Sequence, residues 1–222
     1  MKHFEFEKVK FIFEENGKTI SFSQYEKLKT FVDNLIEVNQ SVNLISRKYL
    51  ENIWENHIFH SISPFFVFDF KNCGKLVDIG TGGGFPGIPL KIILEEKEFL
   101  LIDSIKKKID ATNSFIANLK LKKINTFNER SEIISQNKFF VNKYDIVISR
   151  AVSSIENLIL WSKGFLKQDG KFIFLKGGNL DEEIFFAKRK FKNIEIQVID
   201  LKIKQLEFLE IGEKKLVIVN FL

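Results

Sequence analysis

Asp78, Gly80, Gly82 and Asp103 are the residues whose types and spacing could hold a polar ligand, and the first three lie within Leu76 to Pro89, LVDIGTGGGFPGIP. At Gly80, Gly82, Gly83 and Gly84 a side chain would either forbid the positive φ angles of a tight strand-to-helix turn or keep a ligand off the backbone. Pro86 and Pro89 suit the first turn of the following helix, where an amide hydrogen has no intrahelical partner to lose. Gly82, Gly84 and Gly87 also fit the dinucleotide pattern G-x-G-x-x-G, so the glycines alone admit two cofactor classes. Asp78 separates them. A carboxylate at the strand end repels a pyrophosphate but suits S-adenosylmethionine, which has no phosphate and carries an ammonium and a sulfonium. Asp103 closes the apolar run Phe99 to Ile102, 23 residues after Gly80, the spacing of a carboxylate at the tip of the next strand in reach of ribose hydroxyls.

These residues need a sheet edge to hold them, and the chain supplies one. Strand patterns at Leu76 to Ile79, Phe99 to Ile102, Ile124 to Phe127, Asp145 to Ser149 and Phe172 to Leu175 alternate with helical stretches near Ile88 to Leu94, Ile105 to Leu119, Glu132 to Gln136 and Ile155 to Phe165. Such alternation means right-handed crossovers and a parallel sheet with helices on both faces. Two late strand-like segments, Ile194 to Leu201 and Lys215 to Phe221, read as an antiparallel pair at the sheet edge. The fold class is therefore α/β, a doubly wound Rossmann-like sheet of the class I S-adenosylmethionine-dependent methyltransferase type, with an antiparallel last strand and an N-terminal helical extension. That extension, residues 1–70, is expected to pack on the methyltransferase domain, 71–222, as one structural unit. Within it Ser23 is a plausible N-cap for a helix with apolar residues at Tyr25, Leu28, Phe31, Val32, Leu35 and Ile36. A second helix is expected from about Tyr49 to Phe59, with Pro64 interrupting beyond it.

Composition bounds the function. No apolar run approaches about 18 residues and the charged start is no signal peptide, so neither a membrane nor a secreted protein is expected, and the reading is cytoplasmic. A single cysteine, Cys73, excludes an internal disulfide and a clustered thiolate metal site, and the histidines lack metal-ligand spacing, so no metal is expected. Residues 1–70 carry 8 Lys and Arg against 10 Asp and Glu, whereas residues 71–222 carry 26 against 19, so the basic excess lies with the cofactor motif. That excess is compatible with nucleic acid and equally with a solvated lysine-rich face.

With DIGTGGGFPGIP, LLIDSIKKK, NERSE, DIVISRA and FLKGG in order, and VNQSVNLIS and HIFHS upstream, the chain resembles the ribosomal small-subunit methyltransferase G family, also called glucose-inhibited division protein B. The resemblance implies methyl transfer from S-adenosylmethionine to N7 of one guanosine in 16S rRNA, the one customarily numbered 527, on the free RNA or the small subunit. It further implies that Gly80 and Phe85 line the cofactor pocket beside Gly82, that Ser131 and Glu132 meet the adenine end, and that Arg150 stands between cofactor and substrate. Three positions depart from the family: Gly83 and His60, where proline and aspartate are frequent, and Asn56, where an arginine often precedes the histidine. His57 is accordingly given no catalytic role.

The residues themselves narrow the reaction. Amino-group methylation of a base commonly uses an Asp or Asn, Pro, Pro, aromatic run after the fourth strand, where this chain reads Ser149, Arg150, Ala151, Val152. Carbon-5 methylation of a pyrimidine needs a cysteine at the carboxyl edge of the sheet, and Cys73 precedes the first strand. Guanine N7 needs neither device, because its lone pair is nucleophilic without loss of a proton; alignment and electrostatics suffice, and no general base is expected. Arg150 could donate to guanine O6 or a phosphate, or be a strand-end arginine tied to a surface carboxylate. Lys176 and Arg130 could touch RNA backbone or be solvated, and Lys106, Lys107 and Lys108 carry the same pair of readings. Trp54 and Trp161 read as core anchors or a stacking platform. A monomer is the default. Two rival functions stay open: a nicotinamide-dependent oxidoreductase, and a non-catalytic ribosome-assembly factor retaining the fold.

Overall fold

The computed structural model describes residues 4–46, 48 and 50–222. Helices α1 (Phe6–Glu15) and α2 (Phe22–Asn39) are followed by a π-helical turn, Trp54–Phe59, that runs into α3 (His60–Val67). Then come β1 (Lys75–Ile79), α4 (Gly87–Ile93), β2 (Glu98–Asp103), α5 (Lys106–Asn118), β3 (Ile124–Asn128), α6 (Ser131–Ile134), β4 (Tyr144–Arg150), α7 (Ile155–Ser162) and β5 (Leu166–Gly177). The chain closes with α8 (Asp181–Lys190), β6 (Ile194–Asp200), α9 (Glu207–Ile211) and β7 (Lys214–Phe221). Among the described residues the strands form one sheet in the order β3-β2-β1-β4-β5-β7-β6. Strands β1 to β5 are parallel, and β7 enters antiparallel between β5 and β6. The late pair thus forms as the sequence suggested, with β7 as its inner member.

Period-two alternation divides the strand residues between two cores. Leu76, Leu101, Ile146, Ile148, Ile173 and Leu216 face one side, where α1, α2, α4 and α5 cover them. Val77, Leu100, Ile102, Val147, Phe172 and Val217 face the other, under α7 and α8. The N-terminal helices therefore contribute Val9, Phe13, Leu28, Phe31 and Leu35 to the core that also buries one face of the sheet. Phe31, fully buried, packs against Phe85 of the glycine turn at 5.3 Å and Phe115 of α5 at 5.4 Å.

Two local expectations are corrected. The N-cap of α2 is Ser21, not Ser23: its hydroxyl accepts from the Gln24 amide at 3.1 Å while the Gln24 side chain accepts from the Ser21 amide at 2.9 Å, a capping box that satisfies two orphan donors. Pro64 does not interrupt its helix but lies inside α3. The His60 carbonyl, which the proline nitrogen cannot serve, accepts instead from the Ser63 hydroxyl at 2.8 Å. The helix start expected near Tyr49 lies outside the described residues. Among those residues no helix is long and apolar enough to cross a membrane.

Because Phe31 joins helix, glycine turn and sheet, Phe31→Ala is expected to cost about 3–5 kcal/mol of stability. With Trp161 replaced by Phe so that Trp54 alone reports, urea unfolding followed by circular dichroism and by fluorescence should give coincident transitions with and without Phe31→Ala; separate transitions would mean that the N-terminal helices unfold independently.

Candidate active site

A cavity of about 520 Å³ opens at the carboxyl ends of β1, β2 and β4, where successive crossovers leave β1 in opposite directions. Its walls include the turn Gly80–Gly83, Phe85, Asp103, Ser131, Glu132 and Arg150, so of the cofactor residues expected from the sequence the structure brings all but Asp78 to one cavity. Arg130 also borders it.

The turn is built as its glycines demand. Gly80 has φ +69°, and a Cβ there would meet a Val152 methyl at 2.6 Å. Gly82 has φ +57° with nothing within 4 Å of the Cβ position, which leaves its backbone open to the cavity. Gly83 departs from expectation: its φ is not positive, and a Cβ would instead come 3.1 Å from Leu44 in the segment after α2.

Asp78 is also corrected. Rather than facing a cofactor, its carboxylate is fully buried beneath the turn, where Oδ2 accepts from the Thr81 hydroxyl at 2.6 Å and the Gly87 amide at 2.9 Å. Burial pushes its pKa up to about 8, against the opposing pull of those two hydrogen bonds and of the Arg150 charge. Asp103 holds the expected strand-tip position. One carboxylate oxygen accepts from the Gly82 amide and the other from the Ile105 amide, each at 2.9 Å, so the acid fixes the turn while bordering the cavity. Thr112 of α5 adds a hydroxyl donated to the Gly82 carbonyl at 3.2 Å.

Arg150 ends β4 and turns back toward the N-terminal helices. Its guanidinium lies 4.7 Å from the Phe85 ring centroid; Nη1 donates to the carbonyls of Asn56 at 3.2 Å and His57 at 3.4 Å, and Nη2 to His57 Nδ1 at 2.7 Å. It is not the arginine of a surface ion pair. Burial lowers its pKa to about 10, with Asp78 opposing the shift, so it remains a cation at neutral pH. Ala151, at φ +55°, then turns the chain sharply enough to bring Val152 onto Gly80.

Lys176 is placed differently from either sequence reading. Its ammonium donates to the Ser153 carbonyl at 2.6 Å and pairs with Glu183 at 2.7 Å, with a side chain only 9% exposed. Glu183 in turn accepts from the Ile155 amide at the start of α7. Lys176 thus ties down the segment that carries Val152 to the cavity, with its ammonium engaged by Ser153 and Glu183. Arg130 and Glu132 approach at 3.5 Å on an exposed surface, a weak pair that leaves both accessible. Lys106 pairs with Asp110 at the surface, whereas Lys108 borders the cavity. Trp54 is a core residue, and Trp161, half-buried, reaches the cavity wall.

Sequence reasoning missed His57 and the segment Leu44–Ser46, which also line the cavity. The segment is held by Asn39, whose side chain accepts from the Leu44 and Ile45 amides and donates to the Ile45 carbonyl. The only trace of either in the sequence is the pair of upstream motifs, whose distance from the glycine turn conceals their proximity.

A parallel sheet with an antiparallel β7, a glycine turn after β1 and an acid at the tip of β2 define the Rossmann-like fold of the S-adenosylmethionine-dependent methyltransferases. Solved structures of that fold superpose on the chain. An O-methyltransferase from Bacillus cereus in complex with SAH does so with a TM-score of 0.58 at 12% identity, over 87% of this chain and 91% of that one. A SAM-dependent methyltransferase from Aquifex aeolicus does so with a TM-score of 0.56 at 14% identity, over 85% and 97%. Residues 24–217 match the family model described as rRNA small subunit methyltransferase G, and the chain belongs to that family. Relatives bearing the name ribosomal RNA small subunit methyltransferase G are 42% identical in Chlorobium phaeobacteroides, over 74% of this chain and 72% of the relative, and 31% identical in Bacillus licheniformis, over 93% and 86%. The chain is therefore a methyltransferase, and the oxidoreductase alternative falls.

Two outcomes are expected. The folded-state pKa of Asp78 lies above the usual carboxylate value, so the folded protein binds the extra proton between about pH 4 and 8, and this residue's contribution to stability falls as pH rises through that window. Asp78→Asn should flatten the decline in melting temperature between pH 5 and 8; an unchanged slope would show that Asp78 ionises normally. Lys176→Met should weaken binding of S-adenosylhomocysteine, by loosening Val152, yet leave the salt dependence of RNA binding intact; the reverse pattern in calorimetry and filter binding would make Lys176 a phosphate contact.

Proposed function

We propose that this protein transfers the methyl group of S-adenosylmethionine to N7 of one guanosine in 16S rRNA, acting as a monomer in the cytoplasm on the free RNA or the small ribosomal subunit. The observation that carries the reading is the placement of Arg150, a cation lying over the Phe85 ring at the wall of a cavity formed by the glycine turn.

The residues fit the cofactor. The cavity has the size of a small-molecule site, about 300–1,000 Å³, the backbone at Gly82 is open, and Asp103 offers carboxylate lone pairs beside it. Gly80, Gly82 and Phe85 would hold the middle of the molecule, Asp103 its ribose hydroxyls, and Ser131 with Glu132 its adenine end. When bound, it would supply a sulfonium methyl that a lone pair can take by direct displacement, with the carbon–sulfur bond breaking to leave S-adenosylhomocysteine. The chain need only align the base. Arg150 presents planar N–H donors suited to guanine O6, which would hold the base in line.

No proton has to be removed first, and the groups near Arg150 agree with that. His57 is held neutral, its pKa lowered to about 3 by burial and by the Arg150 charge, and its Nδ1 is occupied by the guanidinium. Cys73 precedes β1, and burial raises its thiol pKa, which suits packing and not nucleophilic attack on a pyrimidine. The basic excess of residues 71–222 would collect RNA.

Nucleoside mass spectrometry of 16S rRNA from cells with and without the gene tests the reading. Loss of one 7-methylguanosine, restored by purified protein and S-adenosylmethionine, is the expected result; an unchanged level would discard this target, and a protein without cofactor affinity would revive the assembly-factor alternative. Arg150→Ala should lower kcat/KM by about 10²-fold. Unchanged methylation together with unchanged cofactor binding would remove Arg150 from the mechanism.

A further inference from the structure

An arginine held over a phenylalanine ring by the cation–π attraction alone is not fixed in orientation, because the attraction is to the whole quadrupole. For Arg150 something else must set that orientation. Its Nη1 reaches the Asn56 and His57 carbonyls, and its Nη2 reaches His57 Nδ1, so one turn of the π-helix engages three of its five N–H donors. Among the described residues no acceptor takes the Nε–H or the second Nη2–H, and the guanidinium borders the cavity. Arginine only donates, so Nδ1 must accept and the ring proton must lie on Nε2. The imidazole also packs on Phe85, ring centroids 5.1 Å apart, which makes His57, Phe85 and Arg150 one packed unit.

We infer that His57 is a positioning residue for the methyl transfer: by accepting at Nδ1 it fixes the in-plane orientation of the Arg150 guanidinium and so aims the remaining donors at the substrate base. This rests on the function proposed above. The two carbonyls are weaker constraints, at 3.2 and 3.4 Å against 2.7 Å for the imidazole, and they survive any substitution of the side chain. A π-helical turn suits the task, since its extra residue rotates one side chain out of the α-helical register, a feature common at functional sites. Positioning errors on the order of 1 Å cost about 10²-fold in rate, enough to be selected against.

Two variants separate orientation from packing. His57→Phe keeps the ring and its contact with Phe85 but removes the acceptor, whereas His57→Asn keeps an acceptor at the position of Nδ1. Single-turnover methylation of unmodified small subunits should slow by about 10- to 100-fold in His57→Phe and remain within about threefold of wild type in His57→Asn, with S-adenosylhomocysteine affinity little changed in both. In 15N-labelled protein the Arg150 guanidinium signals should stay dispersed in His57→Asn and collapse in His57→Phe. Wild-type rate in His57→Phe, or equal slowing in both variants, overturns the inference. Should His57→Phe not fold, His57→Asn decides alone: a slow rate or collapsed guanidinium signals overturn the inference, and wild-type behaviour in both supports it. Wild-type protein that methylates no guanosine would count against the proposed function itself, a result distinct from any of these.

Discussion

A carboxyl group buried where β1 gives way to the glycine turn gives up water that local hydrogen bonds must replace. Asp78 accepts from a hydroxyl within the turn and from the first amide of the helix beyond it, and those two bonds fix the entry and the exit of the turn together. The positions of Gly80, Gly82 and Phe85 follow from that constraint. So does the close approach at Gly87, where a Cβ would stand 2.7 Å from the same carboxylate oxygen. Asp103 repeats the device from the neighbouring strand, holding Gly82 from outside. Both acids therefore act on the backbone, and Asp103 also borders the cavity.

Around that turn the N-terminal helices serve as a wall of the site. Phe31 presses on Phe85 from α2, Leu44 lies where a Cβ at Gly83 would stand 3.1 Å from it, and among the described residues the π-helical turn supplies every hydrogen-bond acceptor of the Arg150 guanidinium. A cation that deep needs such partners, since an unpaired buried charge would cost several kcal/mol. The helices thus set both the shape of the cavity and the charge state of the group that faces it. The far wall depends on a second internal pair: Lys176 with Glu183 anchors the start of α7 and holds Val152 against Gly80.

Much of this was legible in the sequence because its signals are local. Strand-helix alternation gave the parallel sheet, since a hydrophobic period is a property of adjacent residues. The glycine turn declared itself because positive φ angles and close packing admit few residue types. Asp103 could be placed by spacing alone, since a strand-helix-strand unit has a nearly fixed length. Even β7 and β6 could be paired, although not ordered, from their strand-like composition.

What the tertiary structure decided was which partner each polar side chain would find. Asp78 and Lys176 look in sequence like groups available to a ligand, yet one lies beneath the turn and the other inside an ion pair, because burial depends on residues dozens of positions away. His57 shows the converse. Its motif HIFHS gives no sign of its partner, and only the folding of the N-terminal helices against β4 brings its imidazole to Arg150, 93 positions along the chain. By itself the sequence determined the fold and the turn, which follow from short-range periodicity and steric demand, and its ordered motifs carried the likeness to the family; contacts between distant segments, which carry no local signature, decided how the site is wired.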